Sequence, residues 1–380
     1  MHKELRDFVA STVNRISEQY DREYRKKKIA SLQPAEELWE SLSASSLVGL
    51  GIPERYGGSG QGMVGLSLVA EELARHGHLP VLLVMSPGIV GSILLKGGSA
   101  AQKEKYLPGI ASGKLKFSFA ITEADAGSNT HRIKTVLTER DSDSYLLNGN
   151  KCFISGVDEA DYILVVAKAA FDRGGDNLQC CIVPTNAIGV NKNRIATETF
   201  SADSQWLLHF DDVVVRKADV IGASDGGLKA LFAGLNPERI LMASFCVGIG
   251  SRAIDLGADY ARNREVWGKP IATHQAIAHP LAESKIEIEL AKNMTYQAAV
   301  AFDSGENSGE LANYAKFAAA RAAVSAVDKA IQVHGGNGFT KDYEVSELYW
   351  PARLFRTAPV SEEMILNFVS NQVLNLPRSY

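Results

Sequence analysis

Two short runs of this chain have the residue types to hold a flat polar ligand, and two others have the types to hold a phosphate. The first is Phe119-Ala120-Ile121-Thr122-Glu123-Ala124-Asp125-Ala126-Gly127-Ser128-Asn129, an apolar, strand-like stretch that stops in small and hydroxylated residues. At such a strand end Ile121 and Thr122 offer backbone N–H groups and a hydroxyl, while Gly127 and Ser128 let the main chain approach a bound group. The second is Asn148-Gly149-Asn150-Lys151-Cys152-Phe153-Ile154-Ser155-Gly156. Asn-Gly is a strong short hairpin signal, so a strand, a tight turn and a returning strand are expected. Phe153 and Ser155 are two apart on the returning strand and share a face, where one can stack on a ring and the other can hydrogen-bond its edge.

The phosphate-holding types come later. In Tyr260-Ala261-Arg262-Asn263-Arg264-Glu265-Val266-Trp267-Gly268-Lys269-Pro270-Ile271, arginine supplies a planar fork that donates two hydrogen bonds at once to a pyrophosphate. Taken alone it is also a surface arginine closing a helix. In Gln332-Val333-His334-Gly335-Gly336-Asn337-Gly338-Phe339 the glycines let a backbone amide reach a phosphate without a side chain in the way. Taken alone this is a helix C-cap and loop.

The elements that position these runs fall into three stretches. Residues 1–112 read as helical, with apolar spacing in Leu5, Phe8, Val9 and Val13 and again from Leu66 to Leu73. The charged patch Arg22 to Lys28 reads as a solvated face or loop, and the breaker-rich Gly51 to Gly60 reads as a loop between helices. Over 113–222 the period changes to two and β-branched residues increase, as in Tyr162-Ile163-Leu164-Val165-Val166 and Cys180-Cys181-Ile182-Val183, giving a small antiparallel β domain with protected edges. Residues 223–380 are helical again. Pro237 suits a first helical turn, and Ile240 to Ala253 carry a small-residue face that packs closely.

Composition narrows the function. A net charge of -4 and pI near 6.1 argue against a general nucleic-acid or anionic-membrane binder. No apolar run approaches the ~20 residues that span a bilayer, and Met1 to Asp7 is a charged helix start without a signal-peptide core. Cys152, Cys180, Cys181 and Cys246 show neither metal spacing nor a disulfide framework, which reads as buried thiols of a cytosolic, reduced protein. The histidines form no metal-ligand pattern.

The Thr-Glu-x-x-Ala-Gly-Ser loop and the Asn-Gly-x-Lys-x-aromatic-Ile-Ser run together resemble the middle domain of the acyl-CoA dehydrogenase family of flavoproteins. The resemblance extends along most of the chain, through Ile52-Pro53-Glu54-Arg55-Tyr56-Gly57-Gly58, Gln102 to Pro108, the Arg-x-x-aromatic-Gly-x-Pro-Ile-x-x-x-Gln pattern ending at Gln275, and Gln-x-x-Gly-Gly-x-Gly. It implies an α+β fold with an N-terminal α-helical domain, a middle antiparallel β-barrel domain and a C-terminal four-helix bundle. It further implies FAD, with Ile121, Thr122, Gly127, Ser128, Phe153 and Ser155 at the isoalloxazine. Arg264, Trp267, Gln275, Gln332, Gly335 and Gly336 would serve the nucleotide end of a neighbouring subunit's FAD, hence a homodimer or homotetramer. Ser361 and Glu363 would also contact FAD.

The implied reaction is α,β-dehydrogenation of an acyl-CoA thioester to a 2,3-enoyl-CoA, with the β hydride passed to flavin N5 and electrons leaving to an electron-transfer flavoprotein or similar acceptor. This needs a base, a hydride acceptor and donors at the thioester carbonyl. In most of the family the base is a glutamate at a position occupied here by Pro359, which can accept no proton and has no backbone N–H. A minority branch, including isovaleryl-CoA and long-chain enzymes, carries the base immediately before an arginine on a helix of the last domain. Pro237-Glu238-Arg239 matches that spot. Glu238 is therefore the expected base and Arg239 and Ser128 the substrate contacts. The alternative for Glu238 is an acid capping a helix N-terminus, with Glu362 and Glu363 as substitutes for the base. The changed residue at 359 keeps open an acyl-carrier-protein dehydrogenase, a desulfinase-like or oxygen-using flavoenzyme, or a partner subunit without a base.

Overall fold

The structure, a computed structural model, describes residues 2–170, 178–198, 204–222 and 227–378. Helices come first: α1 (Lys3–Gln19), α2 (Arg22–Ser31), α3 (Glu36–Ala44), α4 (Gly62–Arg75), α5 (Val81–Leu83), α6 (Gly91–Gly97) and α7 (Ala100–Ala111). A wider π turn, Val84–Val90, joins α5 to α6 and contains Pro87. Proline has no N–H to donate, and a wider turn accommodates the missing bond. The run Arg22 to Lys28, expected as a solvated face or loop, is α2 itself, capped by Asp21. Two of its arginines are spoken for: Arg22 pairs with Glu347, and Arg25 with Glu344, which Arg252 also reaches.

The middle stretch is a sheet of eight strands: β1 (Phe117–Ala120), β2 (Val136–Glu139), β3 (Ser144–Ser155), β4 (Tyr162–Ala169), β5 (Leu178–Pro184), β6 (Val190–Ile195), β7 (Gln205–Arg216) and β8 (Val220–Ile221). The pairing order is β6-β7-β3-β2-β4-β5-β8, with β1 also on β4, and among the described residues it does not close. The sheet is mostly antiparallel, as expected, with two parallel pairings at β4, to β1 and to β2. Strand β4 is buried on both faces, as its unbroken apolar run requires. Leu164 and Val166 enter the large helical core, while Ile163, Val165 and Ala167 enter a second core enclosed by the sheet.

The expected hairpin at Asn148-Gly149 is not a turn. Strand β3 runs straight through it, and the register against β7 slips between Leu147 and Gly149. Gly149 has φ +147, and a Cβ there would lie 2.6 Å from Thr135 Cα, so the glycine serves close backbone approach at a bulge. Asn148 spends its side chain on the bulge partner Asp212, donating to its carboxylate and accepting from its amide at 2.9 Å.

The last stretch holds α8 (Gly227–Asn263), a two-stranded ribbon of β9 (Glu265–Val266) and β10 (Lys269–Pro270), α9 (Gln275–Asp303), α10 (Gly309–His334), α11 (Tyr349–Leu354) and α12 (Glu362–Phe368). Small residues let α8, α9 and α10 pack closely: a Cβ on Gly250 would meet Ile288 of α9, with the Ala323 backbone of α10 beside it. Pro237 does not open a helix as expected but lies inside the 37-residue α8. The segment Gly234–Asn263 is long and apolar enough to cross a bilayer, which the sequence reading missed, yet 78% of its most apolar window is buried inside the fold. Residues 81–90 wedge between the sheet and α8, since Leu82 would touch a Cβ on Gly156 and Leu241 would touch one on Gly88.

Candidate active site

The loop after β1 and the end of β3 are fastened by a buried ion pair. Lys151 Nζ donates to Glu123 Oε1 at 2.9 Å and to the Ile121 carbonyl at 2.8 Å. Glu123 also accepts from the Thr135 and Lys134 amides at 2.9 and 2.7 Å. Burial opposes the charge on Glu123, yet these donors hold its pKa below the usual range, while burial lowers that of Lys151. The Cys152 amide closes the arrangement on the Thr122 carbonyl at 2.9 Å. Both residues of the pair lay inside the motifs, and the sequence reading gave them no role. Their signal was an acid and a lysine at fixed places in two runs bound for one site.

This fastening sets the outward residues. Phe153 takes φ +57 at a second slip in the register and is 64% exposed, so a bulge, and not plain strand alternation, turns it outward. The Ser155 hydroxyl accepts from Gln205 at 2.8 Å, which leaves its own proton to donate. Ile121 and Thr122 are half-buried, and Gly127 and Ser128 are exposed. No protein atom lies within 4 Å of where a Gly127 Cβ would be.

A second group gathers at one end of the last helices. Tyr260 of α8 stacks on His334 of α10 with ring centroids 4.3 Å apart, and Asn337 donates to the Tyr260 hydroxyl at 3.0 Å. That contact joins the arginine run to the glycine run. Arg264, Trp267, Gln275, Gln332, Gly335 and Gly336 are all exposed around it. Gly335 has φ +57 and ψ −134, a conformation glycine tolerates, and added Cβ atoms on Gly335 and Gly336 would meet nothing. The open backbone at Gly127 beside the exposed Phe153 ring fits a flat ring, and that at Gly335 and Gly336 beside the exposed Arg264 and Gln275 fits the phosphate-bearing end of a dinucleotide.

The third group is on α8. Glu238 is buried and forms no ion pair among the described residues. Burial pushes its carboxyl up to about 7, against the pull of Arg239 and Lys316. Because Pro237 is well inside α8, Glu238 is not a helix N-cap. Arg239 donates to the Leu235 carbonyl at 2.9 Å, and its buried Nε has no partner. Lys316 of α10, also buried, donates to the Val360 carbonyl next to Pro359 and is lowered to about 8 by burial. The other two acids are unlike Glu238. Glu362 is gripped by Arg356 and Arg321 and held down near 2, chiefly by Arg356, and Glu363 is exposed. The Ser361 hydroxyl accepts from the Met364 amide and caps α12.

The acyl-CoA dehydrogenase family models for the N-terminal, middle and C-terminal domains match residues 1–114, 118–213 and 225–374. The chain belongs to the acyl-CoA dehydrogenase family. Members of that family are FAD-dependent oxidoreductases acting on CH–CH donors. Acyl-CoA dehydrogenase FadE12 of Mycobacterium tuberculosis is 46% identical over 379 residues, 99% of this chain and 96% of that protein. A 3-(aryl)acrylate reductase of Clostridium sporogenes is 30% identical over 377 residues, 98% of this chain and 97% of that protein. The solved structure of butyryl-CoA dehydrogenase from Megasphaera elsdenii superposes with a TM-score of 0.93 at 25% identity, covering 98% of each chain. The helical, β and helical arrangement is that of the acyl-CoA dehydrogenase family.

Proposed function

We propose that the protein is an FAD-dependent acyl-CoA dehydrogenase in which Glu238 takes the α proton of an acyl-CoA thioester. The observation that carries this is one carboxyl, buried, without an ion pair among the described residues, carried inside α8 within the field of Arg239 and Lys316 and near neutrality in its pKa. A general base works best with a pKa near the working pH. Pro359 offers no rival base, Glu362 is committed to its arginines, and Glu363 faces out.

Each further role follows from a local property. Thr122, Ser128, Phe153 and Ser155, with the amide of Ile121, would hold the isoalloxazine of FAD. Arg264, Trp267, Gln275, Gln332, Gly335 and Gly336 would hold the nucleotide half. FAD supplies the acceptor for the β hydride. Arg239, with a buried donor left over, suits the developing enolate charge that a backbone N–H at 359 would otherwise meet. Lys316 fixes the carbonyl of Val360 and keeps positive charge near Glu238. The family pattern, in which the arginine and Gly-Gly runs serve the FAD of a neighbouring subunit, supports a homodimer or homotetramer. Ser361 and Glu363 would complete the FAD contacts. Electrons would pass to an electron-transfer flavoprotein or similar acceptor. Four free, buried cysteines support a reducing, cytoplasmic setting.

Mixing the purified yellow protein anaerobically with short, branched, aromatic and steroid-like acyl-CoAs tests the reading. Flavin bleaching by one class, lost in Glu238→Gln, is the expected result. A yellow protein that no thioester bleaches overturns it and favours the altered chemistries that Pro359 leaves open.

A further inference from the structure

Ser155 ends β3 and stands opposite Gln205, the first residue of β7, in an antiparallel pair. Residues that face each other across such a pair put their side chains on one face of the sheet, roughly 5 Å apart at Cβ. The neighbouring pair, Ile154 and Trp206, belongs to the core enclosed by the sheet. Strand alternation therefore turns Ser155 and Gln205 to the other face, away from that core. There the Gln205 amide Nε2 donates to Ser155 Oγ at 2.8 Å.

The backbone around this pair is pinned from several sides. The Ser118 hydroxyl of β1 donates to the Ser155 carbonyl at 2.9 Å, and the Gly156 amide donates to the Ser204 carbonyl at 2.9 Å. Ser204 donates in turn to Asp158, and Trp206 Nε1 donates to Ser204 Oγ at 2.6 Å. Gln205 is paired on its far side with Ile195 of β6. With the chain held in this way, what is left to set is the direction of one O–H bond. Gln205 sets it. A hydroxyl has one proton and two lone pairs. The glutamine occupies one lone pair, and among the described residues no protein acceptor takes the proton. A free serine turns to meet a donor or an acceptor, whereas this one is biased to present its proton.

A ligand whose edge changes from acceptor to donor feels that bias. Oxidised isoalloxazine has an unprotonated nitrogen at N5, and taking up two electrons and a proton makes it an N–H. Hydrogen bonds to the ring nitrogens are one of the ways a protein tunes a flavin. We propose that Gln205 is a positioning residue: by donating to Ser155 it fixes the serine as a hydrogen-bond donor toward the flavin edge, so that the protein holds oxidised FAD more tightly than reduced FAD and keeps the reduction potential lower than Ser155 alone would. The proposal rests on the placing of Ser155 at the isoalloxazine, and it does not depend on which thioester is the substrate.

The test is the two-electron reduction potential of the bound flavin, measured by dithionite titration against an indicator dye with no thioester present. Gln205→Met keeps the length of the side chain and loses the donor. Its potential should rise by about 30 mV, the equivalent of a tenfold loss of preference for the oxidised form. Ser155→Ala should rise at least as far, and the double variant should match Ser155→Ala, because the glutamine acts only through the hydroxyl. A potential that stays or falls in Gln205→Met, or shifts that add in the double variant, overturn the proposal. Gln205→Asn, whose amide is one methylene short, should move the potential the same way and is read in its place if the methionine variant does not take up flavin. If Ser155→Ala itself moves nothing, Ser155 is not at the ring, and the proposal falls together with that placement. The expected shifts in a protein that no acyl-CoA bleaches would support the role of Gln205 and sink the dehydrogenase reading alone.

Discussion

Among the described residues two buried lysines lie near buried glutamates, and the fold treats them in opposite ways. In the sheet, Lys151 touches Glu123 directly, and two backbone amides complete the carboxylate's shell. In the helical bundle, Lys316 turns to the Val360 carbonyl, and Glu238 feels its charge without a bond. Direct contact outweighs burial in the first case, so Glu123 stays ionised. Burial outweighs distant charge in the second, so Glu238 can gain and lose a proton near neutrality. The same two residue types make a fastener in one place and a proton acceptor in the other.

The largest effect expected is on turnover. Glu238→Gln removes the base and should lower kcat by about 10³-fold, measured with the best bleaching substrate. The same variant should be no less stable. A folded-state pKa raised from the ordinary 4.5 to about 7 means the folded form binds the extra proton, so stability falls as pH rises across that window. Removing the titrating group should therefore raise stability at pH 8 by up to about 3 kcal/mol. Denaturant melts of both proteins at pH 5 and pH 8 check the sign.

Lys151→Met breaks the fastener and should cost about 3–5 kcal/mol, because Glu123 is left buried alone. The accompanying loss of yellow colour on dialysis would come from the loosened loop at 121–129. If the variant unfolds no more easily than wild type, the contrast between the two sites is wrong.

Lys316→Met sharpens the contrast from the other side. Activity should rise with pH through about 7 in wild type. Without the positive charge the Glu238 carboxyl is harder to ionise, so the rising limb should move to higher pH by about half a unit to one unit. A kcat/KM profile that moves down, or not at all, would mean that Lys316 serves only the Val360 carbonyl. The smallest effect is expected for Glu362→Gln, with kcat within about twofold of wild type. Its carboxyl is held near 2, so the stability its ion pairs add is present above the ordinary carboxylate range and fades as pH falls toward 2. Thermal melts at pH 7 and pH 3 should show the difference shrinking.

Much of this was legible in the sequence because the informative residues were punctuation. The helical, β and helical order followed from the change of apolar period, and the phosphate-suited runs stood out by Arg264 and the glycines from 335 onward. What misled was local geometry that depends on a partner elsewhere in the chain. Asn148-Gly149 spells a turn, but the Asp212 side chain and the Thr135 backbone hold it in a bulge. Pro237 spells a helix start, but the helical path on both sides carries through it. Arg22 and Arg25 look solvated until Glu344 and Glu347 arrive from more than 300 residues away.

That last ion-paired seam has a consequence for how the chain is born. Arg22 and Glu347 are 325 positions apart. A ribosome adding about 5–20 residues per second needs roughly 15–65 s to make the second after the first. During that interval α2 is outside the tunnel with its arginines facing no acid, and Arg25 cannot be buried cheaply without one. The packing of α2 through Arg22 and Arg25 can therefore be completed only after Glu344 and Glu347 have been made.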